Sequence, residues 1–480
     1  MESHAIYYHL LNLFNSIVVL YFVFGNGTYT LLMMMSFVQV WLHNRKLQYA
    51  GLNEVRESAV TPPISLIVPA YNEEKIIVDT VHSLMQLDYP GKEILVVDDG
   101  STDNTLLVLI QAFGLQRMDF IYRSRIPTKP LLAFYFNPKI PELTVLSKVN
   151  GGKPDALNAG INMARSPYFC TVDSDCIIER DALLRLIQPV LRSKVNVVAC
   201  GGIVRILNGC KVEEGRVTRV ELPDNPLIRF QIVEYLRGFL FGRTGWDLIR
   251  GTFIVSGAFC IFHRETVSDM GGFSNDTVTE DIDLIACLHR FLRAKKWVYR
   301  MAFISDPVCW TEAPSDLPNL GRQRRRWQLG LGQTLAKHHE IMFNPRYGVV
   351  GMITFPFYVF MEFLGALVEF GGYLIIPLGF LLGVTPLALF TLFIFLGVVY
   401  GSFLSAGSVL LEEITYRRYP SLRNLLQLLG YACLENIGYR QLVLFYRVQA
   451  VILFLLGSKR WEAVKHYGIE KKQHPAMATP

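Results

Sequence analysis

Charge is scarce in this 480-residue chain. Asp, Glu, Lys and Arg make up only 18% of it, while 51% is hydrophobic. Soluble globular proteins carry roughly 25% charged residues, so a purely soluble protein is not expected, and a disordered chain would not hold so much apolar material. The eight cysteines include no CxxC pair. A zinc site and a disulfide framework are therefore disfavoured, and the thiols read as reduced core residues. No basic start and no small-residue cleavage site accompany the first apolar run, so a cleavable signal peptide is not expected. Internal repeats and low-complexity tracts are absent. The net charge of +6 has its densest cluster at Arg322, Arg324, Arg325 and Arg326, and the other basic groups flank apolar segments. That is the positive-inside pattern of a membrane protein, and no nucleic-acid partner is expected.

The apolar residues that are present sit at the two ends. The first stretch runs Tyr7–Phe24 and the second Thr28–Leu42, broken at Gly25-Asn26-Gly27. As one helix the pair would run roughly 51 Å, against a hydrocarbon core of about 30 Å. Two short spans with a tight turn and one long tilted helix both fit. His43, Arg45 and Lys46 put the far end in the cytoplasm. From Tyr347 onward, spans are expected near Val349–Ile376, Pro386–Leu411, Asn424–Asn436 and Leu442–Leu456, the third short enough to be interfacial. Arg417, Arg418 and Arg423 mark a cytoplasmic loop, and Lys459 and Arg460 a cytoplasmic tail. Glu362 and Glu369 fall inside the first of these spans. Carboxylates at that depth either line a polar path or bind helices together. The chain thus divides into a membrane region (1–46), a water-facing domain (60–320), an interfacial segment (321–346), a second membrane region (347–458) and a tail (459–480), with the lipid bilayer as a partner.

The middle alternates short apolar runs with helical patterns. Ile64–Val68 is β-branched and ends at Pro69. Glu74–Leu87 has helical spacing. Glu93–Val97 closes at Asp98-Asp99-Gly100, and Tyr168–Val172 closes at Asp173. Alternation of this kind predicts an α/β domain with a doubly wound, mostly parallel sheet, whose ligands bind beyond the strand C-termini.

Five polar clusters fall at such positions. Val68-Pro69-Ala70-Tyr71-Asn72-Glu73-Glu74 reads by itself as a turn and helix cap. Asp98-Asp99-Gly100-Ser101-Thr102-Asp103 puts adjacent carboxylates at a strand end, where the N–H and O–H donors of a base or ribose would satisfy them. Gly151-Gly152-Lys153-Pro154-Asp155 opens a helix, with glycines that allow close backbone approach and with Lys153 and Asp155 able to reach a nucleotide. Thr171-Val172-Asp173-Ser174-Asp175 offers two carboxylates to one hard cation such as Mg²⁺ or Mn²⁺. Last come Thr279-Glu280-Asp281, which holds a candidate general base, and Gln323-Arg324-Arg325-Arg326-Trp327. In that run Arg326 suits diphosphate oxygens and the Trp327 ring suits a sugar face; alone, it also reads as a basic interfacial anchor.

Taken in order, these clusters resemble the membrane-embedded processive synthases of glycosyltransferase family 2, which make cellulose, hyaluronan, chitin and poly-N-acetylglucosamine. The resemblance covers residues 60–335 by motif and the flanking spans by layout. It implies a cytosolic GT-A fold in the plasma or inner membrane, a nucleotide-diphosphate sugar donor (a UDP-sugar above all), a divalent Mg²⁺ or Mn²⁺, and a polysaccharide acceptor. By the same resemblance Asp99, Lys153, Asp155 and Asp173 would hold the nucleotide sugar and Asp175 the metal. Asp281, with Glu280 and Arg326, would carry catalysis, and Gln323, Trp327, Ser256 and Gly257 would meet the acceptor. Ser256-Gly257-Ala258-Phe259 looks more like the poly-N-acetylglucosamine branch than the cellulose branch. Inverting transfer to a growing β-linked polymer, exported through the protein's own channel, is the expected activity; a single transfer to a lipid acceptor is the alternative. Two departures stand out. A stretch rich in Pro and aromatics near 125–143 lengthens the segment between Gly100 and Gly152. No cyclic-dinucleotide-binding domain follows the last apolar segment, so regulation of that type is not expected within these residues.

Overall fold

The computed structural model describes residues 2–457 except 50, 120, 123, 214 and 420; the expected tail with Lys459 and Arg460 lies outside the described residues. The centre is a ten-stranded sheet, β1 (Ile64–Ala70), β2 (Lys92–Asp98), β3 (Gln116–Met118), β4 (Leu131–Phe136), β5 (Leu143–Lys148), β6 (Tyr168–Val172), β7 (Ile177–Ile178), β8 (Asn196–Ile206), β11 (Phe259–His263) and β12 (Tyr299–Thr311). A separate short hairpin, β9 (Lys211–Glu213) and β10 (Arg216–Arg219), stands apart from it. The strand order is 3-4-5-2-1-6-11-8-12-7. Strands 5-2-1-6 form a parallel core, and β8 and β12 form a second parallel pair. Between them β11 runs antiparallel to both neighbours.

Register places the site. Ala70 is level with Asp98 and Ile67 with Thr171, so β1, β2 and β6 deliver their polar sequels to one sheet edge. Because β11 runs the other way, with Phe259 opposite Val172, the Ser256-Gly257-Ala258 segment enters at that same edge. The core strands are buried on both faces, which is why they read as unbroken apolar runs rather than alternating ones. The stretch near 125–143 adds β4 beside β5 and so extends the sheet. Ile126 from the same stretch is buried, and its backbone is held by the Asn162 side chain.

The helices used below are α1 (Glu2–Tyr49), α2 (Lys153–Met163), α3 (Ala182–Arg192), α4 (Pro226–Tyr235), α5 (Thr244–Leu248), α6 (Glu280–Ala294), α7 (Leu317–Lys337), α8 (Gly365–Leu381), α9 (Tyr400–Thr415) and α10 (Arg440–Leu455). Among the described residues, three helical stretches are long and apolar enough to cross a membrane: His9–Arg45, Val350–Leu381 and Leu387–Thr415.

The N-terminal apolar pair is one continuous helix, not two spans with a turn. Its excess length is taken up against the sheet domain. Leu32 is buried beside Gly245, Ser36 donates to the Leu240 carbonyl, Gln39 Nε2 donates to Asp247 at 2.8 Å, and His43 pairs with Asp306. Asn26, inside the presumed break, donates to the Leu396 carbonyl at 2.9 Å and keeps the helix intact. The last two expected spans are shorter than membrane-crossing helices: a 13-residue helix, Leu422–Leu434, and the 16-residue α10, separated by non-helical Ile437 and Gly438. α10 packs on α7 and α8.

Candidate active site

At the common strand edge lies a cavity of about 700 Å³. Of the residues singled out from sequence, Asp99, Lys153, Asp173, Asp175, Ser256, Gly257, Glu280, Asp281, Gln323, Arg326 and Trp327 line it. Asp155 does not. It lies beneath the wall, where its carboxylate meets Lys148 Nζ at 2.6 Å and accepts from the Lys129 backbone N–H at 3.1 Å. Sequence reasoning overlooked Lys148. That side chain is wholly buried, at 0% exposure, and bridges Asp155 to Asp99, also at 2.6 Å. The signal was a lysine closing an otherwise apolar strand just before Gly151-Gly152. Asp99 also accepts from the Gly151 and Gly152 N–H groups at 3.0 and 2.7 Å. A buried lysine shared by two carboxylates leaves one net negative charge, which the Lys129, Gly151 and Gly152 N–H donors stabilise, and the arrangement fixes the turn from which α2 starts.

Lys153, the first residue of α2, reaches across the cavity floor to Asp173 at 2.7 Å and Glu280 at 2.8 Å. Burial disfavours its charge, but the two carboxylates outweigh this and raise its pKa. Burial likewise lifts the Asp173 carboxyl, more than Lys153 offsets, and neighbouring Asp175 adds to the rise. Burial would also raise Glu280, yet Lys153 and, less strongly, Arg326 hold it below the ordinary carboxylate range. At Asp281 the balance goes the other way, because Lys153 and Arg243 offset less than burial and Glu280 add. Burial and then the Glu280 charge push its carboxyl up. Its orientation is fixed by the backbone: Gly257 N–H donates to one oxygen at 3.0 Å and Ile282 N–H to the other at 2.9 Å. Gly257 sits there because a Cβ at that position would come within 3.1 Å of the Asp281 carboxylate.

The opposite wall is α7. Trp327 has Arg324 over its ring, 4.4 Å from the centroid, and Tyr235 tilted beside it at 6.4 Å. The ring remains 37% exposed. Arg324 is anchored to Glu234 at 2.6 Å. A further residue missed in the sequence is Arg243, which lines the cavity and stacks over Phe239 at 3.7 Å. Its pKa is lowered by burial, and Asp281 is among the groups that counter this; nothing in the local sequence marked it. α6 and α7 meet closely, since a Cβ on Gly330 would come within 2.3 Å of the Thr279 side chain.

The donor set suits a divalent cation. Asp173 and Asp175 present hard oxygen ligands at one cavity wall, and their mutual repulsion is the kind a bound cation relieves. A second group, Asp283, Cys287 and His338, brings ligand-type atoms within 4.8 Å of one another on another face of α6. There Asp283 is already taken by His338 Nε2 at 2.8 Å and Lys337 Nζ at 2.9 Å, and Arg290 stands 3.2 Å from His338 Nδ1. This is a hydrogen-bonded brace between α6 and the end of α7.

The cavity continues among the apolar helices. Glu362 and Glu369 both line it, and each is paired: Glu362 with Arg447 at 3.0 Å, Glu369 with Arg440 at 2.7 Å. Arg237–Glu435 at 2.8 Å adds a third pair. Tyr29 donates to Glu362, and Tyr21 to Glu369 at 3.2 Å. Both carboxylates therefore line the cavity and hold helices together.

Comparison with known proteins agrees with this geometry. Residues 65–126 match the family described as "Glycosyl transferase family 2" and residues 138–330 the one described as "Glycosyltransferase like family 2". Poly-beta-1,6-N-acetyl-D-glucosamine synthase of Staphylococcus epidermidis is 26% identical over 298 residues, 62% of this chain and 60% of that protein. Its namesake from Staphylococcus aureus strain COL is 28% identical over the same shares. The match spans about 60% of the length of these relatives. Among solved structures, a mannosyltransferase from Pyrobaculum calidifontis, in complex with GDP-Man and Mn²⁺, aligns with a TM-score of 0.50 at 18% identity, covering 89% of this chain and 99% of that one. The likeness is one of fold, GT-A.

Proposed function

We propose that this chain, a membrane protein whose central domain is a family 2 glycosyltransferase, transfers sugar from a nucleotide-diphosphate donor to a growing β-linked polysaccharide and passes the product into the membrane along its own cavity. The observation that carries this reading is the single cavity that joins the Asp173–Asp281 edge of the sheet to the Glu362 and Glu369 pairs among the apolar helices. The relatives named above make a β-linked N-acetylglucosamine polymer, which favours UDP-N-acetylglucosamine as donor. The sheet domain then lies on the cytosolic side, where nucleotide sugars are.

The chemistry follows from the placement of charge. Asp99 stands at the base and ribose end. Lys153 is committed to Asp173 and Glu280, so its part is to hold these carboxylates in register. A divalent cation held by Asp175, with Asp173 beside it, would supply positive charge to the diphosphate. Arg326 faces the same departing group and stabilises it as the bond from the anomeric carbon to the diphosphate breaks. The acceptor hydroxyl attacks the opposite face of that carbon, and its proton passes to Asp281, whose raised pKa makes it a stronger base than an ordinary carboxylate. Backbone donors hold both Asp281 oxygens and leave lone pairs for this proton. One displacement inverts the anomeric centre. Trp327, with Gln323, Ser256 and Gly257 around it, supports the acceptor sugar between cycles.

The test is incubation of the purified protein in sealed proteoliposomes with a panel of nucleotide sugars, followed by linkage analysis. A polymer ladder protected inside the vesicles supports the reading. One sugar per lipid overturns it in favour of single transfer. In the same assay Trp327→Ala should cut polymer roughly two- to tenfold while slow donor hydrolysis persists, because stacking on an aromatic contributes about 0.5–1.5 kcal/mol. Polymer of normal length and rate from that variant would remove Trp327 from the acceptor site.

A further inference from the structure

A second cavity, of about 390 Å³, lies away from the active site, between α1, α3, α5 and β12. Gln39, His43, Gln188, Arg192, Asp247 and Arg300 are its polar walls. Gln188 decides its character. The residue is only 3% exposed, and neither its amide nitrogen nor its amide oxygen has a hydrogen-bond partner among the described residues. A buried amide left in that state costs about 1–3 kcal/mol, so something with both acceptors and a donor belongs beside it. Arg300 makes the same demand. One of its terminal nitrogens is held by Asp247 at 3.3 Å, but its buried Nε has no acceptor among the described residues. Asp247 already receives Gln39 Nε2 at 2.8 Å and the Phe303 N–H at 3.0 Å beside Arg300, three of its about four acceptor sites.

The position narrows the ligand. The α1 wall of the cavity is the last part of a membrane-crossing stretch that ends at Arg45. On the same stretch of α1, exposed Trp41 carries the Arg45 guanidinium 3.9 Å over its ring, a pairing of aromatic and basic groups typical of the headgroup level. We propose that this cavity binds the headgroup of an anionic, hydroxyl-bearing phospholipid, such as a phosphoglycerol. Its phosphate oxygens accept from Arg300 Nε and Gln188 Nε2 under the field of Arg192, and a headgroup hydroxyl donates to Gln188 Oε1. A choline or ethanolamine headgroup would place a cation against the two arginines. The bound lipid clamps α1 to α3 and β12, behind the strands that carry the active site.

The experiment uses the full-length protein in nanodiscs of phosphatidylcholine alone or with phosphatidylglycerol, read by lipids retained in native mass spectrometry and by thermal unfolding. Phosphatidylglycerol should be retained as one tight molecule and raise the unfolding midpoint. Gln188→Leu, which keeps volume and net charge, should weaken retention roughly tenfold, the size of one hydrogen bond to a charged group. Arg192→Gln, at the exposed rim, should weaken it further. Because Gln188→Leu leaves surface charge unchanged, equal retention in wild type and that variant would mean diffuse attraction only and overturns the proposal. A more stable variant with no lipid dependence in either protein would identify a plain packing gap and overturn it as well. Soluble glycerol phosphate that matches the effect in phosphatidylcholine discs would overturn the lipid as source.

Discussion

The two ends of the main cavity treat charge in opposite ways. Among the apolar helices Glu362, Glu369 and Glu435 each meet an arginine at 3.0 Å or closer. At the sheet edge Lys153 is shared between Asp173 and Glu280, while Asp175 and Asp281 add further acid. If the proposed product passes there, the paired end would offer it hydrogen-bonding groups without a net field. An acid-rich end holds carboxylates at raised pKa, poised for a cation and for a proton. Under the proposed function, this difference in pairing would separate the part that conducts from the part that reacts.

The largest expected effect sharpens the reacting end. Asp281→Asn should lower kcat by roughly 10²–10⁴-fold, the range of a positioned general base, with donor affinity unchanged by calorimetry. Loss of donor binding with turnover intact at saturation would move Asp281 to the nucleotide site. The next breaks the paired end. Glu369→Gln takes the carboxylate from a half-buried Arg440 that keeps Asn436 Oδ1 at 3.2 Å, so the cost should fall below the roughly 3–5 kcal/mol of breaking a fully buried pair. Unfolding in detergent should come markedly earlier, and Glu369→Leu combined with Arg440→Met should regain most of that stability. No change in the single variant would mean that the pair is well solvated.

His289, buried in α6 between the Tyr299 hydroxyl at 2.7 Å and the Thr252 carbonyl at 3.0 Å, has its pKa pushed down to about 4 by burial. The unfolded chain takes up its proton near pH 6.5, which the native state resists. The stability from neutral His289 is therefore complete above pH 6.5 and is lost as pH falls toward 4, on the order of 3 kcal/mol in all. Unfolding midpoints measured across that window should show a slope that His289→Gln removes. The smallest effect tests how the two ends are joined. Gly330→Ala drives a methyl into Thr279 and should cost about 1–3 kcal/mol, lowering kcat more than it changes donor affinity. Thr279→Ser in the same chain should not fully restore it, because the Cβ itself lies within 2.8 Å of the new methyl.

The strands, and the clusters at their ends, were legible because β1, β2 and β6 are largely buried apolar runs followed at once by polar residues, although β1 continues through Pro69 to Ala70. What escaped depended on partners distant in sequence. Gly25-Asn26-Gly27 carries a local break signal that the contact from Asn26 to Leu396 overrides. Asp155 reads as a ligand for substrate until Lys148 is seen beneath it. Glu362 and Glu369 could be placed at membrane depth, but their partners lie on α10, some 70 to 85 residues on. No local pattern announces which arginine a buried glutamate will find.

α1 carries a further consequence. Its contacts to the sheet domain fall at Leu32, Ser36, Gln39 and His43, steps of four, three and four residues along one stripe. A single rigid rod therefore acts as a phased ruler, setting both the height of the domain over the bilayer and its rotation about the rod. One residue inserted before Leu32 would turn the stripe by roughly 100° and lift it by about 1.5 Å, whereas about seven inserted residues would bring it nearly back into phase, some 10 Å higher. Helical phase, more than length, would then govern which insertions the protein withstands, and a ladder of insertion variants scored for folded yield would show that period directly.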